Sequence, residues 1–571
     1  MNASGAEPLT ARPAAGTPRH PSHRADVHRG PVGSELAGTL MIARHILRRD
    51  RVRLCVWAIA LTAFVLYFSV ALRTVFDPEA LAARAAVMRT PSGIVMGGPG
   101  YGLDHYTPMV AVANEGITWI VAALGIMSLL HVVRHTRAEE DAGRAELMGA
   151  GAVGRHAPAL ATLLVLTAQL LVITVLGALA TLAGGDDASF LDGLGMMGGS
   201  TLAALVIGAV ALLASEVAAT SRTATGLALA GLALLFAVRA AGDLIHREGS
   251  LLSWFSPFAW PQQMRPFVDL RWWPALLSVA AVLVLLAVAA GLSRRRDLGR
   301  GLVADRAGRS QATSWLRSPL ALAWRQQRGM LLWSCLGLGL LWLATGTMMS
   351  TLADMGRDLV SQTPALAGML GSDSSAFTGQ FLDLILLFAA LCAAAYGIVA
   401  SGQHCRAEET SGRLEAVLAA PVSRRRWLTA QLLVALTGTA VLLVVSVAAL
   451  AAGALAVGVD DPDVGRYGAA LLAHLPATLV FAALSAALFA WVPRGGGLAW
   501  MLIAVVFGIA MFGEMLDLPD WVQGISPFHW VPDSFTEDTD PAGPLMLLAV
   551  DAVLSALALV GIGRRAIDGG L

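Results

Sequence analysis

The sequence predicts an all-α polytopic membrane protein whose twelve transmembrane helices form two parallel six-helix repeats, and three observations carry that prediction. Apolar runs of about 20 residues, the length that crosses a hydrocarbon core, recur along the chain. Arginines gather in alternate connecting loops, and one loop sequence occurs twice at a shift of 269 positions. A soluble globular chain is excluded by composition: 56% of the 571 residues are hydrophobic and only 14% charged, against roughly 25% charged in an ordinary soluble domain.

Taken in order, residues 1–40 are rich in Pro, Gly, Ala, Arg and His without apolar periodicity, which predicts a disordered cytoplasmic tail. No apolar signal-peptide core precedes residue 40, so the first span itself is expected to direct insertion. Leu40, Met41, Ile42, Ile46 and Leu47 lie among Arg44, His45, Arg48 and Arg49, a pattern suited to an elbow helix in the interface plane. Spans are expected near 54–75, 113–133, 157–184, 198–220, 224–245 and 274–293, which close a first half over residues 41–300. A second half over 301–571 opens with another amphipathic stretch, where Trp315, Leu316, Leu320, Leu322 and Trp324 alternate with Arg317, Arg325 and Arg328. Its spans are expected near 331–351, 381–402, 428–457, 467–491, 498–516 and 544–563.

Orientation follows from the arginines, because the chain has no lysine and its 40 basic residues are all arginine. With both termini cytoplasmic, the inner segments hold 31 of them, the outer segments seven and the spans two. Positive residues stay on the cytoplasmic side, so the asymmetry sets the topology of a plasma-membrane protein. The formal net charge is zero, and nothing in the pattern points to a nucleic-acid partner.

The repeat is sharpest in the loops after the second and eighth spans. RAEEDAGRAELMGAGAVGR runs from Arg137 to Arg155 and RAEETSGRLEAVLAAPVSR from Arg406 to Arg424, with 10 of 19 residues identical. Six spans per half give both halves the same orientation, hence a parallel repeat with a shared pathway expected between halves. A second echo pairs Ser256-Pro257-Phe258-Ala259-Trp260 with Ser526-Pro527-Phe528-His529-Trp530 at a shift of 270. Within the loops, Glu140 to Arg144 and Glu409 to Arg413 have the i, i+4 spacing of helix-stabilising ion pairs. Glu139, Glu146, Glu408 and Glu415 are then left to face a partner, with Gly143, Arg155, Gly412 and Arg424 repeating around them. Gly149 and Gly151 stand where the second loop has Leu418 and Ala420, which predicts a more flexible first loop.

The R-A-E-E-x-x-G-R-x-E pattern, placed between the second and third spans of six, resembles ABC type 2 exporter permeases. The resemblance is to the fused twelve-span actinobacterial type linked to tetronasin and other multidrug or polyketide-antibiotic efflux, and it covers nearly all the chain beyond residue 40. It implies that residues 137–155 and 406–424 carry coupling helices, which insert into a separate ABC ATPase subunit. Two copies of that subunit, or a pair of them, are implied, with ATP and Mg bound there. It also implies a lipophilic or amphipathic, antibiotic-like substrate.

No cofactor is expected on this chain, since a phosphate loop G-x-x-x-x-G-K-[ST] needs its lysine. No catalytic or metal-binding residues are expected either. H-E-x-x-H and G-x-S-x-G motifs are missing, Asp461-Pro462-Asp463 reads as an acidic outer turn, and Gly495-Gly496-Gly497 reads as a tight connection. Cys55, Cys335, Cys392 and Cys405 are scattered without C-x-x-C spacing, and His404 beside Cys405 is too small a cluster to hold a metal. The alternatives are a membrane-embedded enzyme and a proton-coupled secondary transporter of the major facilitator type. Asp305-Arg306-Ala307-Gly308-Arg309 resembles that family's D-R-x-G-R element but lies in the central linker. Ionisable groups inside spans are costly and mark pathways. Asp551, without a local partner, ranks first, followed by Glu216, which could instead meet Arg222, and Arg239, which could pair with Asp243. Glu115, Asp383 and Glu514 are expected to be solvated near outer ends.

Overall fold

The computed structural model describes residues 35–149, 153–246, 248–296, 301–302, 311–350, 374–492, 495–512, 518–532 and 541–565. Among these residues all regular structure is helical, and the chain divides into two compact units, Met1–Asp305 and Arg306–Leu571. The six longest described helices of the first unit are α1 (Thr39–Thr74), α2 (Pro108–His135), α3 (Ala157–Thr181), α4 (Phe190–Val217), α5 (Ser221–Ile245) and α6 (Trp273–Ser293). The second unit supplies α7 (Pro319–Thr347), α8 (Ser374–Ile398), α9 (Arg424–Ala456), α10 (Val464–Trp491), α11 (Leu498–Phe512) and α12 (Ala542–Arg564). Eleven membrane-length apolar helices occur among the described residues, with a shorter one at Gly495–Ala510. The protein is therefore an all-α polytopic membrane protein. The span expected at 498–516 ends as a described helix at Phe512, and residues 513–517, with Glu514, lie outside the described residues. The Asp305–Arg309 segment, Gly151 and the tail before residue 35 lie outside them too.

Separate elbow helices do not form. Leu40 to Leu47 belong to the unbroken 36-residue α1, which at 1.5 Å per residue is about 54 Å long. The stretch Arg48–Arg53 contains no Gly or Pro to end a helix, so the amphipathic turn continues into the span. In the second unit Trp315 and Leu316 precede α7, while Leu320 to Trp324 form its first turns. Ser318 caps that helix by accepting from the Ala321 N–H, with Pro319 at the first position, where its missing donor costs nothing.

Each unit has a buried centre. In the first, α2 and α4 are the most enclosed spans, α1 lies along α3, and α4 contacts α3, α5 and α6. In the second, α7 lies along α9, α10 along α12, and α8 contacts both α9 and α10. Close approach relies on small residues, as is general where lipid removes the hydrophobic drive between helices. Gly346 of α7 and Gly453 of α9 meet backbone to backbone, so neither position has room for a Cβ. The Ser-Pro-Phe-x-Trp echo also has a common fold: the Trp260 indole N–H donates to the Trp254 carbonyl at 2.9 Å, and that of Trp530 to Gly524 at 3.2 Å, in both cases six residues upstream. Phe258 meets Phe236 edge-on at 5.9 Å, and Phe528 stacks on Phe481 at 6.1 Å.

Candidate functional site

Each repeated loop folds as two short helices around a glycine. The first pair is Arg137–Asp141 and Arg144–Gly149, hinged at Gly143 with φ +70°. The second is His404–Thr410 and Arg413–Leu418, hinged at Gly412 with φ +73°. A side chain at either glycine would be strained in this left-handed conformation, which explains why the glycine belongs to the repeated pattern.

The hinge redirects the expected ion pairs. Arg144 does not meet Glu140; its Nε reaches Glu139 Oε2 at 2.5 Å, and Arg49 Nη1 of α1 donates to Glu139 Oε1 at 2.8 Å. Arg413 likewise turns from Glu409 to Glu408, at 2.8 Å, and Gln326 of α7 donates to Glu408 at 3.0 Å. Glu139 and Glu408 are thus buried and paired, contrary to the expectation that they face a partner. Pairing with Glu139 pushes the Arg144 pKa above its ordinary value. Glu146 and Glu415, by contrast, are exposed.

Glu140 and Glu409 face inward to a second arginine each. Arg296 grips Glu140 through Nη1 at 2.8 Å and Nη2 at 2.6 Å, with Arg137 adding a bond at 2.8 Å. Arg565 grips Glu409 through Nη2 at 2.8 and 2.9 Å to its two oxygens. The exposed side chains of Arg155 and Arg424 then reach the backbone oxygens of these arginines, at 2.7 Å on Arg296 and 2.6 Å on Arg565. Every one of these correspondences obeys the same shift of 269. Arg296 and Arg565, just beyond α6 and α12, are site residues that the loop motif alone does not reveal. The signal was present, since Arg295-Arg296 and Arg564-Arg565 also match at that shift.

The embedded charges separate into two kinds. Glu216 is buried and bonds to Arg296 Nε, rather than to Arg222, which makes it part of the loop anchor. Arg239 and Asp243 are fully buried at 3.5 Å. Arg239 also donates to the carbonyls of Ile94 at 3.0 Å and Val95 at 2.5 Å, and Ser253 donates to Asp243 at 2.6 Å, so this pair ties α5 to the helix Pro91–Gly97. Glu115 is held by Arg84 and by the Tyr106 hydroxyl at 3.0 Å, not merely solvated. Asp551 is different: it is buried in α12 and neither carboxylate oxygen has a hydrogen-bond partner among the described residues.

The family model described as "Multidrug efflux system permease Rv1217c, C-terminal domain" matches residues 44–293 and 316–562, one stretch in each half. The chain belongs to this multidrug efflux permease family. It is also 34% identical over 547 residues to the "Multidrug efflux system permease protein Rv1217c" of Mycobacterium tuberculosis (strain ATCC 25618 / H37Rv), covering 94% of this chain and 97% of that relative. The permease is accordingly a multi-pass component of an efflux system, a transporter part rather than an enzyme. Its first unit holds one cluster that sequence spacing could not show: Asp50 of α1 with His131 and His135 of α2, all buried, their ligand atoms within 4.8 Å. These groups already satisfy one another. His135 Nε2 lies 2.9 Å from Asp50, His131 Nε2 lies 3.3 Å from the Thr162 carbonyl, and the Arg134 guanidinium sits 3.3 Å from the same carboxylate, where it competes with a metal cation.

Proposed function

We propose that the permease is the membrane-spanning subunit of an ATP-binding-cassette exporter of the fused twelve-span type 2 class. ATP and Mg are bound and hydrolysed on a separate ABC ATPase subunit, two copies of which engage the two repeated loops. The observation that carries this reading is the doubly repeated helix pair, anchored behind by Arg296 or Arg565 and presenting Glu146 or Glu415 to the solvent. A surface that is anchored on one face and free on the other transmits a push into α6 and α12 instead of absorbing it. Both termini and both loops lie on the cytoplasmic face of the plasma membrane, on the arginine distribution.

The substrate is a lipophilic or amphipathic drug-like compound, consistent with the multidrug efflux name of the M. tuberculosis relative and, at its narrowest, of the polyketide-antibiotic kind linked to tetronasin. Transport by everted vesicles carrying the permease and its ATPase is expected to follow ATP and to persist when an uncoupler collapses the proton gradient. Transport that stops with the uncoupler while ATP is maintained supports the proton-coupled reading instead.

Asp551 is assigned to the translocation route, because an unpartnered carboxylate within a span is tolerated where a water-filled or substrate-filled path solvates it. Asp551→Asn is expected to change the relative transport rates of cationic and neutral substrates while leaving the ATPase complex intact. Equal rates for several substrates before and after the substitution would return the residue to a structural role.

A further inference from the structure

The two units fold the same loop but neutralise it differently. In the first, Arg137 is 1% exposed, lies 2.8 Å from Glu140 and 3.4 Å from Asp141, and also donates to the Ala219 carbonyl. At the shift of 269, Arg137 becomes Arg406, but Asp141 becomes Thr410 and Glu216 becomes Ser485. The one acid that remains, Glu409, is engaged by both of its oxygens with Arg565. Half-buried Arg406 makes no hydrogen bond or ion pair among the described residues.

What Arg406 faces is a cavity of about 270 Å³, lined among others by Gly402, Gln403, Ser485, Leu488 and Gly496. Its guanidinium packs against the backbone of Gly496, where a Cβ would push it aside. The wall is shaped by a π-helical turn at Val399–Gln403, a distortion that recurs at functional sites. The corresponding residues 130–134 of the first unit stay within regular α2. No carboxylate lines the cavity among the described residues, and the positions of Asp141 and Glu216 in the first unit are taken by Thr410 and Ser485 in the second.

We propose that this cavity binds a phosphate-type oxyanion, supplied either by a phospholipid headgroup or by free phosphate. A partly buried guanidinium without a counter-ion among the described residues is costly, and its planar fork matches phosphate oxygens in bidentate fashion. The Gln403 amide adds a neutral donor at the rim. The volume falls below the roughly 300–1,000 Å³ of drug-sized sites, which suits a headgroup or an ion rather than a transported drug. Basic pockets between spans at the arginine-rich end are where anionic headgroups reside.

The test uses the full chain. Native mass spectrometry in detergent, with phosphatidylglycerol or phosphatidylcholine added, is expected to show one phosphatidylglycerol retained by the wild type beyond any phosphatidylcholine, and about tenfold or more weaker retention in Arg406→Gln. Ser485→Glu restores the carboxylate that the first unit tolerates at its equivalent position, and is expected to lose the lipid equally while keeping the wild-type unfolding temperature. If inorganic phosphate raises the unfolding temperature of delipidated wild type but not of Ser485→Glu, and phosphatidylglycerol does not bind, free phosphate is the source. The proposal is overturned if the wild type responds to neither phosphatidylglycerol nor phosphate, or if Arg406→Gln and Ser485→Glu both bind as the wild type does.

Discussion

Replacing Arg296 with methionine is expected to destabilise the N-terminal unit by roughly 3–5 kcal/mol, the scale on which a buried ion pair fails when one partner is removed. Methionine keeps most of the apolar stem but leaves two carboxylates without their shared cation. Glu140 and Glu216 are only 11% and 9% exposed at their side chains, and Arg296 is 8% exposed. Burial works against the charge of Arg296, but the two acids outweigh it and hold its pKa above the ordinary arginine value. The guanidinium therefore stays charged, and the loss is expected throughout the neutral pH range. Arg565→Met strands one carboxylate, Glu409, and should cost less. Thermal unfolding in detergent and protease sensitivity of the 137–155 loop measure both effects. Neutralising the acids together with the arginine, as Arg296→Met with Glu140→Gln and Glu216→Gln, is expected to recover part of the lost stability, because neither buried carboxylate is left unpaired and Arg137 keeps Asp141 at 3.4 Å. Wild-type unfolding of Arg296→Met alone would show that the carboxylates are solvated after all.

Reversing Glu146 and Glu415 to arginine together is expected to leave the permease folded and abolish its complex with the ATPase. Both residues are exposed in the second helix of their loops, so no internal ion pair of the kind made by Glu139 or Glu408 is lost. Truncating one partner of a desolvated interfacial charge pair costs about 2–5 kcal/mol, and reversal adds repulsion, so each loop should lose affinity by more than about tenfold. Co-purification of the ATPase and substrate-stimulated hydrolysis are the readouts. Each single reversal tests whether the loops contribute equally, the glycine-bearing first loop being expected to show the milder defect. Unchanged co-purification in the double variant would reduce the loops to solvated connections. The same reversals at Glu139 and Glu408 are a poor test, since they place arginine against Arg49 and Arg144 in one unit and Arg413 in the other, and the fold suffers first.

The chain's membrane character, eleven of its long apolar helices and its repeated loop were legible in the sequence, because each depends on quantities that are local along the chain. Apolar transfer free energy adds residue by residue, so α1 to α10 and α12 announce themselves as long apolar runs. A motif of 19 residues likewise keeps its identity wherever the chain carries it. The glycine at 143 and 412 was also visible, but its φ was not, and that one dihedral decides the ion pairs. An uninterrupted helix would bring Glu140 to Arg144; the left-handed hinge turns Arg144 and Arg413 back onto Glu139 and Glu408 instead. The separate elbow failed for a related reason, since amphipathicity states which surface a segment prefers, not whether the helix bends before the span. Tertiary structure alone decided the remaining partners. Arg296 and Arg565 each lie 156 residues beyond the glutamate they hold, and Arg49 lies 90 residues from Glu139. Which acid is anchored and which is left for a partner depends on where α1, α6 and α12 return in space, and no local pattern along the chain encodes that return.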